Sequence, residues 1–245
     1  MLSLVVITRN EADRIAACLA SVPWATERIV VDSGSTDDTV DVARRAGARV
    51  VVRDWPGHTA QKNRALALAT QPWILSLDAD ERLSAPAQAE LRAALGRPRG
   101  AVGFSFPRCS SWLGHPIRHG RWYPDRKLRV VRRGQGRWMG PDPHDRLRAD
   151  GRVRRLRGDI LHEPYRDLDE HLATIARYSR VSAEALNDSG VRASRLDVAL
   201  RPSLHFVDSY LLRRGFMDGI PGLAVATLGA THVLCKWARL RELQR

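Results

Sequence analysis

Over residues 1–95, short apolar runs alternate with stretches of helical spacing, and this alternation limits the fold more than any other feature of the chain. Residues 2–8, 28–32, 48–53 and 72–78 have the length and Val/Ile/Leu content of buried strands. Residues 11–21, 59–70 and 87–95, and the stretch after Ser33-Gly-Ser-Thr36, have helical periodicity. Strands separated by helices must be joined by right-handed crossovers, which predicts an α/β fold with a mainly parallel sheet flanked by helices. Thr36 is the expected N-cap of the second helix, with Asp37 and Asp38 favourable in its first turn. Ser84, two residues before Pro86, is expected to cap the fourth.

After Gly96-Arg-Pro-Arg-Gly100 the texture changes. Residues 102–107, 127–132 and 154–161 are expected as strands, and 168–187, 196–213 and 222–243 as helices. The chain therefore divides into an α/β half (1–95), a second half of the same domain (96–165) and a helical C-terminal region (166–245). Residues 220–235 carry no Asp, Glu, Lys or Arg over 16 positions. A membrane span needs about 20 apolar residues, and this one contains Pro221, Gly222, Gly229 and His232, which suits a buried or interfacial helix. Arg213, Arg214, Lys236, Arg239 and Arg241 flank it, so attachment to an anionic membrane surface is the second expectation.

The net charge of +13 is local. Residues 1–95 hold 11 basic and 12 acidic side chains, residues 96–157 hold 17 and 4, and residues 158–245 hold 12 and 11. Such a basic block suits phosphate-bearing substrates, an anionic membrane or nucleic acid. No recognised RNA- or DNA-binding motif accompanies it, which argues against nucleic acid as a partner. Three widely spaced cysteines predict a reducing compartment and no zinc site. An apolar strand at the N-terminus, without a basic n-region or cleavage signal, predicts a protein that is not secreted.

The fourth strand stops at Asp78-Ala-Asp80-Glu81. If the chain stays extended there, Asp78 and Asp80 point to one side, where paired carboxylates repel unless a cation neutralises them. Mg2+ or Mn2+ suits such oxygen ligands, usually together with a substrate phosphate. The other strand ends supply Thr8-Arg-Asn-Glu11 and Asp32-Ser-Gly-Ser-Thr-Asp37, and the third helix begins near Gln61-Lys-Asn-Arg64. One polar cluster per strand at the carboxyl edge is what a nucleotide pocket in an open α/β sheet requires. Asp32 suits hydrogen bonds from a base or ribose, and Lys62 suits phosphate charge. No Gly-x-Gly-x-x-Gly or Walker loop is present, which excludes dinucleotide and P-loop readings.

This ordered set resembles the family-2 glycosyltransferases with the GT-A fold. The matching segments are Val5-Val-Ile-Thr-Arg-Asn-Glu11, Ile29-Val-Val-Asp-Ser-Gly-Ser-Thr-Asp-Asp-Thr39, Gln61-Lys-Asn63 and Leu77-Asp-Ala-Asp-Glu81. Arg121-Trp-Tyr-Pro-Asp125, Gly140-Pro-Asp-Pro-His-Asp145, Leu161-His-Glu163 and Gly215-Phe-Met-Asp-Gly219 resemble the lipopolysaccharide-core β-glucosyltransferase branch. The resemblance implies that Thr8, Asn10, Glu11 and Asp32 line the pocket of a nucleotide-diphosphate sugar, with a UDP-sugar first among the donors. It implies further that Lys62 and Asp78 lie on the nucleotide side and that Asp80 is the metal ligand.

The implied chemistry is inverting transfer, in which a carboxylate takes the proton of an attacking acceptor hydroxyl. Asp145 is the first choice for that base, although it is shorter than the Glu common there, and Glu163 is the rival. Arg121, Arg126 and Arg129 suit phosphates of donor or acceptor. Trp122, Tyr123, Asp125 and Trp138 fall in the acceptor-binding half, and His144 and His162 are candidates for places beside the metal. The expected acceptor is a lipopolysaccharide-core or other lipid-linked glycan, met at the cytoplasmic face of the inner membrane. A polyprenyl-phosphate acceptor on the same fold is the alternative, and a basic nucleic-acid-binding protein is the reading from another class.

Overall fold

The computed structural model describes residues 1–140 and 145–245. They form two units, residues 1–108 with 125–162 and residues 109–124 with 163–245. In the first unit the elements run β1 (Leu2–Thr8), α1 (Ile15–Ala20), β2 (Glu27–Asp32), α2 (Thr39–Arg45), β3 (Arg49–Val52), α3 (His58–Leu68), β4 (Trp73–Asp78), β5 (Glu81–Leu83) and α4 (Ala85–Gly96). There follow β6 (Gly103–Trp112), β7 (His115–Pro116), β8 (Asp125–Arg132), β9 (Gly136–Met139), β10 (Arg146–Ala149), β11 (Val153–Arg155) and β12 (Ile160–His162), of which β7 belongs to the second unit.

The main sheet has the order β3-β2-β1-β4-β8-β6-β12-β5. Strands β1 to β4 are parallel, with Val5 opposite Ile29 on one side and Ser76 on the other. Strand β8 joins antiparallel, Ile74 facing Val131. Central β1 is covered on both faces: Leu2, Leu4 and Val6 enter one apolar cluster and Val5 enters the other with Ile29 and Val31. This follows from the period of two along a strand and explains why its sequence is continuously apolar. Burying each Leu side chain fully stabilises by about 1.5–3 kcal/mol.

Three local expectations are corrected. The second helix begins at Thr39 with Asp38 at the N-cap position, not Thr36. The Thr36 N–H is instead donated to Asn10 Oδ1 at 2.8 Å, while the Asp37 carboxylate accepts from Thr39 N at 3.1 Å. Helix α1 starts at Ile15, because residues 11–14 form a turn in which Glu11 O accepts from Arg14 N and Ile15 N. The expected strand 154–161 divides into β11 on β6 and β12 on β5. Between them Leu156 turns into the core and Gly158 passes so close that a Cβ would lie 2.3 Å from Ala87 Cα. Ser84 caps α4 as expected, accepting from Ala87 N at 3.3 Å.

The second unit contains α5 (Leu168–Asp188), α6 (Arg195–Phe206) and α7 (Gly219–Glu242). The helix expected over 196–213 ends early and widens into a π turn over Val207–Leu212. Here Gly215 approaches so closely that a Cβ would lie 2.7 Å from Ser209 O. Helix α7 starts before the expected 222, and Pro221 fits its first turn, where an N–H has no helical partner. Ser194 and Asp197 close a capping box on α6. Among the described residues no helix is long and apolar enough to cross a membrane.

Candidate active site

The loops after β1 and β2 are locked to one another. Asp32 is buried, and its Oδ1 accepts from Gly34 N and Ser35 N, each at 2.9 Å, while Oδ2 takes the Ser35 hydroxyl. Gly34 sits at φ 79°, a left-handed conformation that glycine adopts without steric cost. Ser35 Oγ in turn accepts from Asn10 N at 2.9 Å, and Thr39 Oγ1 accepts from Glu11 N at 2.8 Å. Asn10 itself is left-handed at φ 57°, a region that Asn tolerates better than most residues. Thr8, Asn10, Glu11 and Asp32 are thus gathered at one carboxyl edge, as the sequence suggested. Thr8 Oγ1 is buried there without a hydrogen-bond partner.

The end of β4 is held by ions. Arg129 Nη2 donates to Asp78 Oδ2 at 2.7 Å and to Glu81 Oε1 at 2.6 Å. Lys62 Nζ bridges Asp78 Oδ1 at 3.0 Å and Asp145 Oδ2 at 2.9 Å. Arg108 pairs with Glu81 at 3.2 Å and with Asp125 at 2.7 Å. Burial alone would push the Asp78 carboxyl up, but Arg129, Lys62 and Arg108 outweigh it and hold it far below the usual carboxylate range. Arg129 is likewise locked in its charged form: Asp78, Glu81 and Asp145 overcome the effect of burial. Trp138, which falls in the acceptor-binding half of the sequence, lies in the core beneath Lys62 and Arg129, with the Lys62 ammonium 4.2 Å from its ring centroid. Asn63 fixes Trp138 by accepting from its N–H at 2.9 Å and donating to its carbonyl at 3.0 Å.

Asp78 and Asp80 do not share partners. Strand geometry stops at Asp78, residues 79–80 turn, and the chain becomes extended again at Glu81, so the two-residue alternation expected of a strand fails. Ala79 packs into the core, and Asp80 Oδ2 lies 3.3 Å from His162 Nε2 at the end of β12. Among the described residues Asp80 Oδ1, which is buried, has no hydrogen-bond partner. Below this corner the buried Cys18 thiol is pushed well up, first by burial and then by the negative charges of Glu81, Asp80 and Asp78.

Among the described residues no group of three or more His, Cys, Asp or Glu could enclose a metal ion. A carboxylate oxygen without a partner and an adjacent imidazole nevertheless fit an ion that takes its remaining ligands from substrate phosphate and water, the usual habit of Mg2+. His144 lies outside the described residues. Glu163 follows His162 directly in the sequence and belongs to the second unit. Arg126 donates to Leu156 O at 3.0 Å, and Arg121 and Trp122 line a cavity in the second unit. The sequence reading missed Arg108 and Asn63, whose signal was only a basic or amide residue opposite buried acids and backbone. Glu81 proves to be a fully buried arginine partner.

The model of the family "Glycosyl transferase family 2" matches residues 3–149. The chain is 29% identical over 248 residues to the lipopolysaccharide core biosynthesis glycosyltransferase LpsC of Rhizobium meliloti (strain 1021), covering 98% of this chain and 92% of that protein. It resembles the solved structure of the mannosyltransferase PcManGT from Pyrobaculum calidifontis in complex with GDP-Man and Mn2+, at TM-score 0.55 and 15% identity over 98% of this chain and 86% of that one. Glucosyl-3-phosphoglycerate synthase from Mycobacterium tuberculosis, solved with Mn2+, UDP and glucosyl-3-phosphoglycerate, matches at TM-score 0.50 and 21% identity over 79% and 81% of the two chains. The likenesses to solved structures establish the GT-A fold, and the family model covers more than half of the sequence. The chain belongs to glycosyl transferase family 2.

Proposed function

We propose that this chain is an inverting, metal-dependent transferase that moves a sugar from a nucleotide-diphosphate donor, a UDP-sugar first among them, to a lipopolysaccharide-core or other lipid-linked glycan. The observation that carries this reading is the pair of buried oxygens without partners at one sheet edge, Thr8 Oγ1 and Asp80 Oδ1, beside a rigid ionic cluster. Buried polar atoms are nearly always satisfied, so atoms left open at the carboxyl edge suit ligand contacts. Thr8, Asn10, Glu11 and Asp32 bind the nucleotide, the last two partly by holding the loops in shape. Lys62 and Arg129 fix Asp78 on the nucleotide side. Asp80, with His162 beside it, holds Mg2+ or Mn2+, which neutralises charge on the departing diphosphate.

An acceptor hydroxyl attacks the anomeric carbon as the bond to the diphosphate breaks, and a carboxylate takes the hydroxyl proton. Asp145 is our first choice for that carboxylate and Glu163 the rival. In a transfer assay with radiolabelled UDP-sugar and core glycolipid, Asp145→Asn is expected to retain donor binding and lose at least about a hundredfold in kcat. If Glu163→Gln shows that loss and Asp145→Asn does not, the base is Glu163. A polyprenyl-phosphate acceptor attacks through an oxygen that is already anionic, so transfer to polyprenyl phosphate but not to core glycolipid, with kcat retained in both variants, would favour that alternative.

The lipid-linked acceptor and a peripheral place on the inner face of the cytoplasmic membrane are supported by one face of the helical unit. Leu196, Leu200 and Leu204 follow one another at the four-residue spacing of a helix face and are mostly exposed, and Leu212 and Ile220 are 73% and 80% exposed. The acids along this stretch are committed elsewhere: Asp197 to Ser194 and Arg201, Asp208 to Arg213, and Asp218 to His119. Exposed Arg195 and Arg214 remain beside the leucines. An apolar face flanked by arginine fits an anionic bilayer, where each buried leucine adds about 1.5–3 kcal/mol. The wild-type chain should sediment with phosphatidylglycerol vesicles, and Leu196→Ser/Leu200→Ser/Leu204→Ser should remain in the supernatant with an unchanged circular dichroism spectrum. Equal sedimentation of both would remove the membrane from the proposal.

A further inference from the structure

The helical unit holds a partly open cavity of about 350 Å3, lined in part by Arg121 and Trp122. Its size falls in the range of small-molecule pockets, about 300–1,000 Å3. Three histidines reach it from three helices, His171 from α5, His205 from α6 and His232 from α7. Arg121 joins them, with Trp122, Tyr165 and Tyr178 as aromatic walls. Among the described lining residues none is Asp or Glu. Ile175, Val225 and Leu228 give the lining an aliphatic part, to which the histidines and Arg121 add hydrogen-bond donors.

The hydrogen bonds set the direction of those donors. Trp112 Nε1 lies 3.2 Å from His171 Nδ1, and an indole nitrogen can only donate. His171 is therefore neutral with its proton on Nε2, and Tyr165 stacks on its ring at 3.9 Å between centroids. Arg121 Nη1 lies 3.4 Å from His205 Nδ1, and a guanidinium can only donate, so the His205 proton is also on Nε2. That nitrogen sits where the missing side chain of Gly229 leaves room: a Cβ there would lie 2.7 Å from His205 Nε2. The cationic charge near the cavity comes from Arg121 and from Lys236, and Asp208 pairs with Arg121 at 3.3 Å.

We infer that this cavity binds a sugar ring bearing an anionic group, phosphate or carboxylate, with Trp122 and Tyr165 against the ring and Arg121 and the histidine Nε2–H groups toward the anion. Aromatic faces suit the C–H surface of a sugar, and Arg with imidazole donors suits its charge. The inference stands independently of the donor and metal assignments. The anionic sugar is either free or the headgroup of a glycolipid, and the two sources share this chemistry.

Burial holds His171 at about 4, with His232 adding to the effect, and burial likewise lowers His205 and His232. Around them Arg121 and Lys236 oppose protonation and Asp208 favours it at His205. His171 and His205 therefore meet an anion as neutral Nε2–H donors.

The test is calorimetric titration of the full chain with glucuronate, glucose 6-phosphate and glucose, and with lipid A in detergent micelles. Two variants accompany it: Gly229→Leu, which fills the cavity from α7, and His205→Phe, which keeps the ring and removes the donor. The expected result is binding of the charged sugars but not glucose, lost in both variants while their thermal midpoints stay within a few degrees of wild type. Binding by lipid A alone supports the cavity as a headgroup site, and binding by the free sugars supports a soluble ligand. If Gly229→Leu fails to fold, His205→Phe decides. Affinity that survives in His205→Phe, or equal affinity for glucose, overturns the inference.

Discussion

Asp80→Asn should reduce turnover by about a thousandfold or more while leaving the folded chain intact. The argument is electrostatic. Asp80 Oδ1 is buried without a partner among the described residues, which suits a divalent ion, and an amide at that place loses the charge that holds one. Charge stabilisation by a metal is worth several kcal/mol in the transition state, and about 4 kcal/mol corresponds to a factor of about a thousand. The fold should tolerate the change, because Asp80 Oδ2 has only His162 at 3.3 Å and its neighbours Asp78 and Glu81 are also acidic. Thermal shift supplies the second readout. Wild type with UDP-sugar and Mn2+ at a hundred times Kd should gain about 2.7 kcal/mol, and the variant should gain little. Wild-type turnover in Asp80→Asn would remove Asp80 from the site.

Arg129→Met is expected to have the largest effect on stability. Arg129 is 3% exposed and donates to both Asp78 and Glu81. Its removal leaves Glu81, which is wholly buried, with Arg108 as its cation and the Asp78 N–H as a neutral donor, and leaves Asp78 with Lys62. Breaking a buried pair by deleting one partner costs about 3–5 kcal/mol. For a chain of this size that is a fall in Tm of about 6–20 °C, measurable by calorimetry. The pH dependence has a definite sign. The Asp78 carboxyl is held far below its unfolded value, so its stabilisation is complete above the unfolded value, about 3.9, and is lost as pH falls toward the folded one. Without Arg129 that depression shrinks, and the acid-unfolding midpoint should move upward. A Tm within two or three degrees of wild type would show that Arg108 and Lys62 suffice alone.

The parts of the fold legible in the sequence are those set by local pattern. The run Leu2-Ser-Leu-Val-Val-Ile7 predicted an apolar strand, and β1 lies between β2 and β4 with both faces covered. Ser84 was readable as a cap because its hydroxyl reaches an amide only three residues away. The gathering of Thr8, Asn10, Glu11 and Asp32 was readable too, since parallel strands joined by helices bring their carboxyl ends to one edge whatever the details of packing. Local signals were misread where a distant residue competed. Thr36 lost its capping place because its N–H is donated to Asn10, 26 residues away. The strand expected over 154–161 broke where Gly158 meets the start of α4.

The sequence by itself determined the α/β class, the order of polar strand ends and the concentration of positive charge in residues 96–157. These depend on periodicity and composition, which act over a few residues. Tertiary structure alone decided which arginine neutralises which acid: Arg129 and Arg108 on Glu81, and Lys62 between Asp78 and Asp145. It also decided that Asp80 stands apart from Asp78 with one oxygen open, and that Trp138 supports Lys62 from the core. Ion pairing and burial depend on positions brought together from distant parts of the chain. A segment rich in arginine offers many equivalent pairings, and only the folded backbone selects among them.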